Sequence, residues 1–410
     1  MSRRGLVANS GLALAGDLSS KIGLLLVMVI AARTLSTDEF AVLGTALAVA
    51  GILAVMLDSG SGLLITRDGA RDEAARGSLF TALGAARLPV AAVVLVAAAG
   101  VGVLLGQPAV AVTAALLGVL GALASSLIGY FRAGQDMKPE ALQKLVFAGL
   151  ALAIVAVSVV VSPTAEAVAA GLVCASAVSL VPLALLARRG LHSRSHAGKL
   201  AAFQRALPLG LMAIATVVYY RSGTVGLAVL STPEETAAFT VASAVGFGLL
   251  ILPNAITTGL LPHLAADREG LAPDSTRRAL RWSLLLSIPV AVAVALAGYL
   301  LLGPLFGAAY ADAALPLAIL CAAVVLIAYN GILGTALLAA GHVRVIAFQV
   351  AASLAVNLAA LVLLAPSFGA AGAAAATLLC EIAAVAMLTV ASVRHLPGFV
   401  LVPRSIVPTA

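Results

Sequence analysis

Charged and aromatic residues are both scarce in this chain of 410 residues. Asp, Glu, Lys and Arg together make up 10% of the sequence, and Phe, Trp and Tyr make up 4%. Hydrophobic residues account for 62%, and the mean hydropathy is +1.14. A soluble globular domain carries about 25% charged residues. The composition therefore excludes that class and indicates an integral membrane protein.

Cysteines and nucleotide-binding motifs are also few or missing. Cys174, Cys321 and Cys380 lie in apolar runs without C-x-x-C or Cys/His spacing, so we interpret them as structural thiols. The sequence has no Walker motif, no H-E-x-x-H and no Gly-rich phosphate loop, which argues against an ATP-driven pump. We predict no catalytic residue, no metal site and no cofactor, with H⁺ or Na⁺ coupling left open.

Apolar windows of about 20 residues, the length that crosses a bilayer, predict twelve transmembrane helices. Asp17 and Lys21 interrupt the first window, which is therefore interpreted as a retained span and not as a signal peptide. The predicted limits are 8–32, 40–65, 80–105, 110–132, 141–162, 165–187, 206–230, 236–263, 279–303, 313–339, 344–365 and 370–393.

Lysine and arginine fall mainly on alternate connections between these windows. The net charge of +7 is thus explained by membrane topology and not by nucleic-acid binding. One set of connections carries many basic residues, whereas the opposite set carries only Arg33. Arg87 is assigned to the basic side as a snorkelling residue. The positive-inside rule then places both termini in the cytoplasm.

A weak internal repeat divides the chain. Leu35–Glu39 before the second window matches Leu230–Glu234 before the eighth at an offset of 195 residues. We predict a six-helix lobe at 1–190, a cytoplasmic linker at 191–205, a second six-helix lobe at 206–395 and a cytoplasmic tail at 396–410. Repeats of this kind place a transport site near the membrane midplane between the lobes.

Lys21 and Arg221 each lie near the middle of an apolar window. A cation in a transmembrane helix costs roughly 2.5–3.5 kcal/mol on insertion scales, so such residues mark functional sites by default. Asp17 lies four residues before Lys21, so the two either neutralise each other or orient Lys21 toward a cavity. Arg221 follows Tyr219 and Tyr220, a combination that suits a sugar diphosphate. The alternative for the tyrosines is helix packing.

Two further acidic residues lie within the windows. Glu381 is near the middle of the twelfth window and is either protonated or a coupling-ion site. Asp58 lies near the end of the second window, where we predict a gate or cap contact with Arg67.

Five segments carry a family resemblance: Arg33–Phe40, Asp58–Gly62, Tyr310–Ala314, Gly341–Arg344 and Pro366–Ala373, ending at Glu381. They resemble segments of the polysaccharide (Wzx-like) flippases of the multidrug/oligosaccharidyl-lipid/polysaccharide (MOP) exporter superfamily. The resemblance extends over essentially the whole chain, and the order and spacing of the segments carry it. Relatives often have an acidic residue two positions after the arginine of helix 7, where this chain has Gly223.

The resemblance implies a MATE-like, V-shaped, all-α bundle of two six-helix lobes in the bacterial cytoplasmic membrane. It also implies translocation of undecaprenyl-diphosphate-linked oligosaccharide to the outer leaflet by alternating access. In that mechanism Lys21 and Arg221, on opposite lobes, hold the diphosphate, and Asp17 or Glu381 balances charge or couples H⁺ or Na⁺. The partners expected are the lipid-linked glycan, membrane lipid and polysaccharide polymerase machinery, with the transporter itself a monomer.

Three other functions compete with this interpretation. A lipid II flippase would usually be longer, and a multidrug/cation antiporter should have carboxylates in excess over cations in its cavity. A polyprenyl-linked glycan polymerase or glycosyltransferase would usually carry larger outer loops than the short outer connections of this sequence.

Overall fold

The computed structural model describes residues 3–104, 106–188, 199–251, 253 and 273–396. Within these residues the chain is helical, without a β-strand. The helices are α1 (Arg3–Thr34), α2 (Thr37–Asp58), α3 (Ser61–Gly69), α4 (Glu73–Leu104), α5 (Pro108–Ala133), α6 (Lys138–Val161), α7 (Ala165–Ala187), α8 (Lys199–Leu230), α9 (Pro233–Gly246), α10 (Pro273–Phe306), α11 (Ala314–Ala339) and α12 (Val343–His395).

Ten of the described helices are long and apolar enough to cross a membrane. Their outer faces carry large apolar side chains such as Val96, Leu104 and Val160, which are 73%, 85% and 84% exposed. Exposed apolar surface of this extent is costly in water and favourable in lipid. The prediction of an all-α, multi-pass membrane protein is therefore confirmed.

The predicted span limits differ from the helices at three places. The window 40–65 is broken after Asp58, where Ser59 and Gly60 adopt left-handed backbone and the short α3 begins. The windows 344–365 and 370–393 are the two halves of α12, which bends at Gly369 with φ 51° and ψ −132°. The window 236–263 begins within α9, and its residues 254–263 lie outside the described residues.

Small residues let neighbouring helices approach closely. A β-carbon added at Gly23 of α1 would lie 2.6 Å from the β-carbon of Ala148 in α6, and one added at Gly16 would lie 3.0 Å from Ala141. Gly118 of α5 faces Leu53 of α2 in the same way, at 2.7 Å. Close backbone approach of this kind stabilises helix pairs in lipid, where the hydrophobic effect between helices is absent.

The chain divides by its contacts into two compact units, Met1–Ala228 and Val229–Ala410. This boundary lies within α8, whereas the sequence predicts a linker at 191–205, of which 191–198 lie outside the described residues. The reason is that α8 packs with its first half against the turn between α2 and α3. The division into two six-helix lobes stays a prediction.

The internal repeat has a structural counterpart in each unit. Ser36 caps α2 by accepting a hydrogen bond from the Glu39 amide, and Thr232 caps α9 by accepting one from the Glu235 amide. The structurally equivalent residues are thus 196 apart, one more than the 195 inferred from the sequence, because Pro233 lies in the first turn of α9. The helix caps therefore align the two repeats one residue away from the alignment predicted from the sequence.

Candidate substrate site

Arg221 lies in the second half of α8, within an apolar helix. Its side chain is exposed, and it makes no ion pair or hydrogen bond with any residue that the structure describes. The guanidinium lies over the backbone of α2 at Gly51: a β-carbon added there would be 3.2 Å from Nε and 3.7 Å from Nη2 of Arg221. Gly51 therefore makes room for the arginine without neutralising it.

The register of α8 against α2 is fixed at a second contact. Gly60, at the left-handed turn after α2, touches the backbone of Gly210 in α8, and a β-carbon on either glycine would collide with the other segment. From the first contact to the second, the residue numbers rise in α2 and the turn after it but fall in α8, so the two helices run antiparallel. At 1.5 Å per residue, the contacts are roughly 14 Å apart along α2 and 17 Å apart along α8. The glycine contact therefore sets the position of Arg221.

An ion pair ties the start of α8 to α3. Arg205 donates a hydrogen bond to the Asp68 carboxylate, and Arg67 donates to the other oxygen of Asp68 at 2.8 Å. The Arg67 hydrogen bond, with the charges of Arg67, Arg205 and Arg71, holds the pKa of Asp68 below its ordinary value. Asp68 is thus ionised at neutral pH, and this contact persists well into the acidic range.

Lys21 is exposed on α1 and, among the described residues, makes no ion pair. Its expected partner, Asp17, instead pairs with Lys144 of α6 at 2.5 Å. Lys144 also contacts Glu140 at 2.6 Å, and Arg132 of α5 donates to both oxygens of Glu140 at 2.7 and 2.6 Å. The interhelical network satisfies Asp17, because α1 packs on α6 through Gly16 and Gly23, and it leaves Lys21 without a direct contact to that carboxylate.

Tyr219 and Tyr220 are half-buried, with ring centroids 4.9 Å apart. Consecutive helical residues are rotated by about 100° around the axis, so Tyr220 is closer to the face of Arg221 than Tyr219 is. The position of Tyr219, about 200° from Arg221, favours a packing role over contact with the same ligand.

Asp58 is buried at the end of α2 and does not pair with Arg67. Its carboxylate accepts the Gly62 amide of α3 at 3.2 Å and pairs with Arg87 of α4 at 3.1 Å. Arg87 also donates to Ser126 at 2.6 Å and to the Ala122 carbonyl at 3.1 Å. Its side chain is only 11% exposed, so the expectation that Arg87 snorkels is wrong.

Arg87 is a buried cation whose position differs from the one predicted from the sequence. It lies inside the predicted window 80–105, and a charged residue at that position in an apolar run already indicates a buried cation. Asp58 caps α3 through the Gly62 amide and not through the predicted contact with Arg67, and the turn that follows it touches Gly210. A gate at Asp58 and Arg67 remains a prediction.

Glu381 is buried within the second half of α12. Asn330 of α11 donates to its Oε2 at 2.8 Å and to its backbone carbonyl at 3.2 Å. The other side-chain atom of Asn330, Oδ1, is buried and has no hydrogen-bond partner among the described residues. Next to it, the Cys380 thiol donates to the Ser353 carbonyl at 3.1 Å, and none of the three described cysteines forms a disulfide.

A family model described as polysaccharide biosynthesis protein matches residues 6–266, more than half of the chain. The chain belongs to this family. It is thereby a member of the MOP exporter superfamily. No curated protein matches the sequence of this polysaccharide biosynthesis family member.

Solved structures similar to this family member are MATE transporters. A mutant of the MATE transporter VcmN from Vibrio cholerae has 18% identity and a TM-score of 0.63, with 95% of this chain and 97% of that chain covered. The MATE multidrug transporter DinF-BH has 13% identity and a TM-score of 0.72, with 96% of each chain covered. An inward-facing multidrug resistance MATE transporter has 15% identity and a TM-score of 0.66, with 94% of each chain covered.

At identities this low the likeness shows the fold and leaves the substrate open. Family and fold together make the protein a multi-pass membrane transporter of the MOP type and not an enzyme.

Proposed function

We propose that the protein is a flippase that moves an undecaprenyl-diphosphate-linked oligosaccharide from the inner to the outer leaflet of a bacterial cytoplasmic membrane. It supplies cell-surface polysaccharide synthesis and works by alternating access. The observation that carries the proposal is Arg221, a cation within an apolar helix that the described residues hold in place but do not neutralise.

The charge of the cargo can be inferred from which charged side chains in the membrane helices already have hydrogen-bond or ion-pair partners. Within the described membrane helices, Asp17, Asp58, Glu140 and Glu381 each accept a hydrogen bond from another side chain. Lys21 and Arg221 have no ion pair there. A transporter of cationic drugs needs carboxylates that are free to bind cargo, so this pattern favours an anion.

A diphosphate fits the guanidinium of Arg221 because its oxygens accept the two parallel N–H bonds of the planar fork. Lys21 supplies a second cation, and Tyr220 a ring on which a sugar can stack. Binding a diphosphate compensates the cost of a charged side chain in a transmembrane helix. The polyprenyl tail remains in lipid.

The membrane potential supplies a driving force for this cargo. Moving a negative charge outward across an inside-negative membrane is favourable by about 2.3 kcal/mol per charge per 100 mV. Coupling to H⁺ or Na⁺ at Glu381 would add to this, and Asn330 Oδ1 is a buried acceptor beside that carboxylate.

The test is to replace Arg221 and Lys21 separately with Ala in cells whose surface polysaccharide depends on this protein. Loss of a hydrogen bond to a charged group costs roughly 1.5–3 kcal/mol, so we expect Arg221→Ala to lower export about ten- to hundredfold. Arg221→Lys should retain part of the activity because it keeps the charge and loses the fork. Lipid-linked oligosaccharide should accumulate in the inner leaflet.

Arg188→Ala is the matched control, since Arg188 is an exposed arginine that follows the last turn of α7. It should export normally. Normal export by both Arg221→Ala and Lys21→Ala, at normal protein levels, would refute the proposed binding role.

A further inference from the structure

The two ends of α12 enclose a groove in the second unit. The helix bends at Gly369, so that its first turns lie beside its last ones: the rings of His342 and His395 are 4.5 Å apart between centroids. The groove between these turns has a volume of about 460 Å³. Its lining residues belong to the second unit, whereas Arg221 belongs to the first.

The groove is apolar along its walls and basic at one end. Phe348, Met387 and Val390 line the walls, and Phe348 is 71% exposed. Arg394 and His395 line the same groove at the last turn of α12. No acidic residue is among the described residues that line it, so its basic end has no counter-ion in that lining.

The basic end and the apolar walls of the groove match the two parts of an anionic phospholipid, its charged head group and its acyl chain. Basic pockets between transmembrane helices near the cytoplasmic surface bind anionic lipid head groups. Arg394 belongs to the set of basic residues that the positive-inside rule places on that surface. The walls offer one polar side chain, Gln349, which donates to Ser353 at 2.9 Å and is thus already engaged. This lining suits an acyl chain and offers little to an oligosaccharide.

We propose that this groove is a binding site for an anionic glycerophospholipid of the surrounding membrane. The lipid phosphate contacts Arg394 and His395, and one acyl chain lies along Phe348, Met387 and Val390. The site does not depend on the cargo assigned to Arg221, so each proposal can fail without the other.

Tryptophan quenching by brominated lipids tests the site directly, because the chain has a single tryptophan, Trp282. In a Trp282→Phe background, Phe348→Trp places a reporter in the groove. Phe368→Trp is the matched control, since Phe368 is 63% exposed near the bend of the same helix and outside the groove. Both proteins are reconstituted into phosphatidylcholine vesicles with a minor fraction of brominated phosphatidylglycerol or brominated phosphatidylcholine.

We expect phosphatidylglycerol to be favoured about fivefold over phosphatidylcholine at the groove reporter, given the attraction of basic residues for anionic lipid. The control reporter should show little preference. Adding Arg394→Ala and His395→Ala to the groove variant should remove the preference. An equal affinity of both lipids at the groove reporter overturns the proposal.

A second measurement uses the unlabelled protein in case the reporter variant does not fold. Native mass spectrometry of the wild type should retain phosphatidylglycerol adducts that the Arg394→Ala/His395→Ala variant loses. Arg188→Ala, which changes an exposed arginine in the other unit, should keep them. Equal amounts of phosphatidylglycerol adduct on all three proteins would overturn the proposal.

Discussion

Arg221 depends at the residue scale on a neighbour with no side chain. Gly51 leaves the space that the guanidinium occupies, with Nε 3.2 Å from where a β-carbon would be. The side chains of α2 around Gly51 are apolar, and no described residue forms an ion pair with Arg221. The arginine is therefore positioned by shape, and its charge remains available to an anionic ligand.

Enlarging Gly51 should disturb transport without removing any charge. Gly51→Leu forces Arg221 from its position and should lower export by up to the ten- to hundredfold loss expected for Arg221→Ala, because a displaced guanidinium loses its hydrogen bonds to the anion. Gly51→Ala should have a smaller effect. The measurement is surface polysaccharide at matched protein levels.

Gly149 of α6 provides the control for that substitution. It is exposed, and an added β-carbon there would meet no atom within 4 Å. Gly149→Leu should export normally. Equal export by Gly51→Leu and Gly149→Leu would show that Gly51 does not position Arg221.

Arg87 and Asp58 form a residue pair of the opposite kind, because both charges are buried and each compensates the other. Removing one partner of such a pair costs roughly 3–5 kcal/mol, since the remaining charge stays buried alone. We expect Arg87→Ala to lower the thermal unfolding midpoint strongly. In Arg87→Ala/Asp58→Asn much of the loss should return, because Asn can still cap α3 without a charge.

The measurement is thermal unfolding of the purified variants in detergent. Equal midpoints for Arg87→Ala and the double variant would contradict this, since the loss would then come from packing and hydrogen bonds alone.

At the scale of elements, the bend of α12 depends on one glycine. Gly369 has φ 51° and ψ −132°, which is strained for any residue with a side chain. A β-carbon there would also collide with the carboxylate of Glu235, whose Oε2 accepts the Ala370 amide at 2.6 Å. The bend, the hydrogen bond and the two halves of α12 are thus coupled.

Gly369→Ala should therefore destabilise the protein by more than the usual backbone strain of roughly 1–3 kcal/mol. Gly369→Ala/Glu235→Ala should recover the stability lost through the collision with the Glu235 side chain. It should not recover the stability lost through backbone strain at residue 369. Gly334→Ala is a suitable control, because its β-carbon would meet only Ile346 at 3.9 Å and alanine favours a helix. Thermal unfolding midpoints measure all three, and a neutral Gly369→Ala would exclude the strain argument.

At the scale of the whole molecule, the two units use the same contact. Glu39 in the first turn of α2 accepts the Ala165 amide at the start of α7, at 2.5 Å. Glu235 in the first turn of α9 accepts the Ala370 amide at 2.6 Å, where the second half of α12 begins. In each unit a carboxylate satisfies an unpaired amide at a helix N-terminus, which favours negative charge.

Equivalent contacts should have similar energies. Neutralising either carboxylate, in Glu39→Gln or Glu235→Gln, should cost about 0.3–2 kcal/mol of stability, the range for a charge at a helix terminus. Glu166→Gln, which changes an exposed carboxylate in the first turn of α7, should have a smaller effect. Unfolding midpoints that fall for only one of the two glutamates would argue against structural equivalence of the two contacts.

The sequence by itself determined the class of this protein, most of its spans, and the positions of Lys21 and Arg221 within apolar windows. Hydropathy and charge bias add up along a window, so they can be read from the chain without knowledge of its neighbours. The repeat is also visible in the sequence, but one residue out of register, because the similarity of Leu35–Glu39 to Leu230–Glu234 does not reveal where the caps lie.

Only the tertiary structure decided the partners. Asp17 binds Lys144 and not Lys21, Asp58 binds Arg87 and not Arg67, and Gly51 lies under Arg221. These contacts depend on the rotation and register of one helix against another, which small residues such as Gly23 and Gly60 fix through backbone approach. A one-dimensional pattern holds no information on that rotation, so pairs within one helix were predicted where pairs between helices formed.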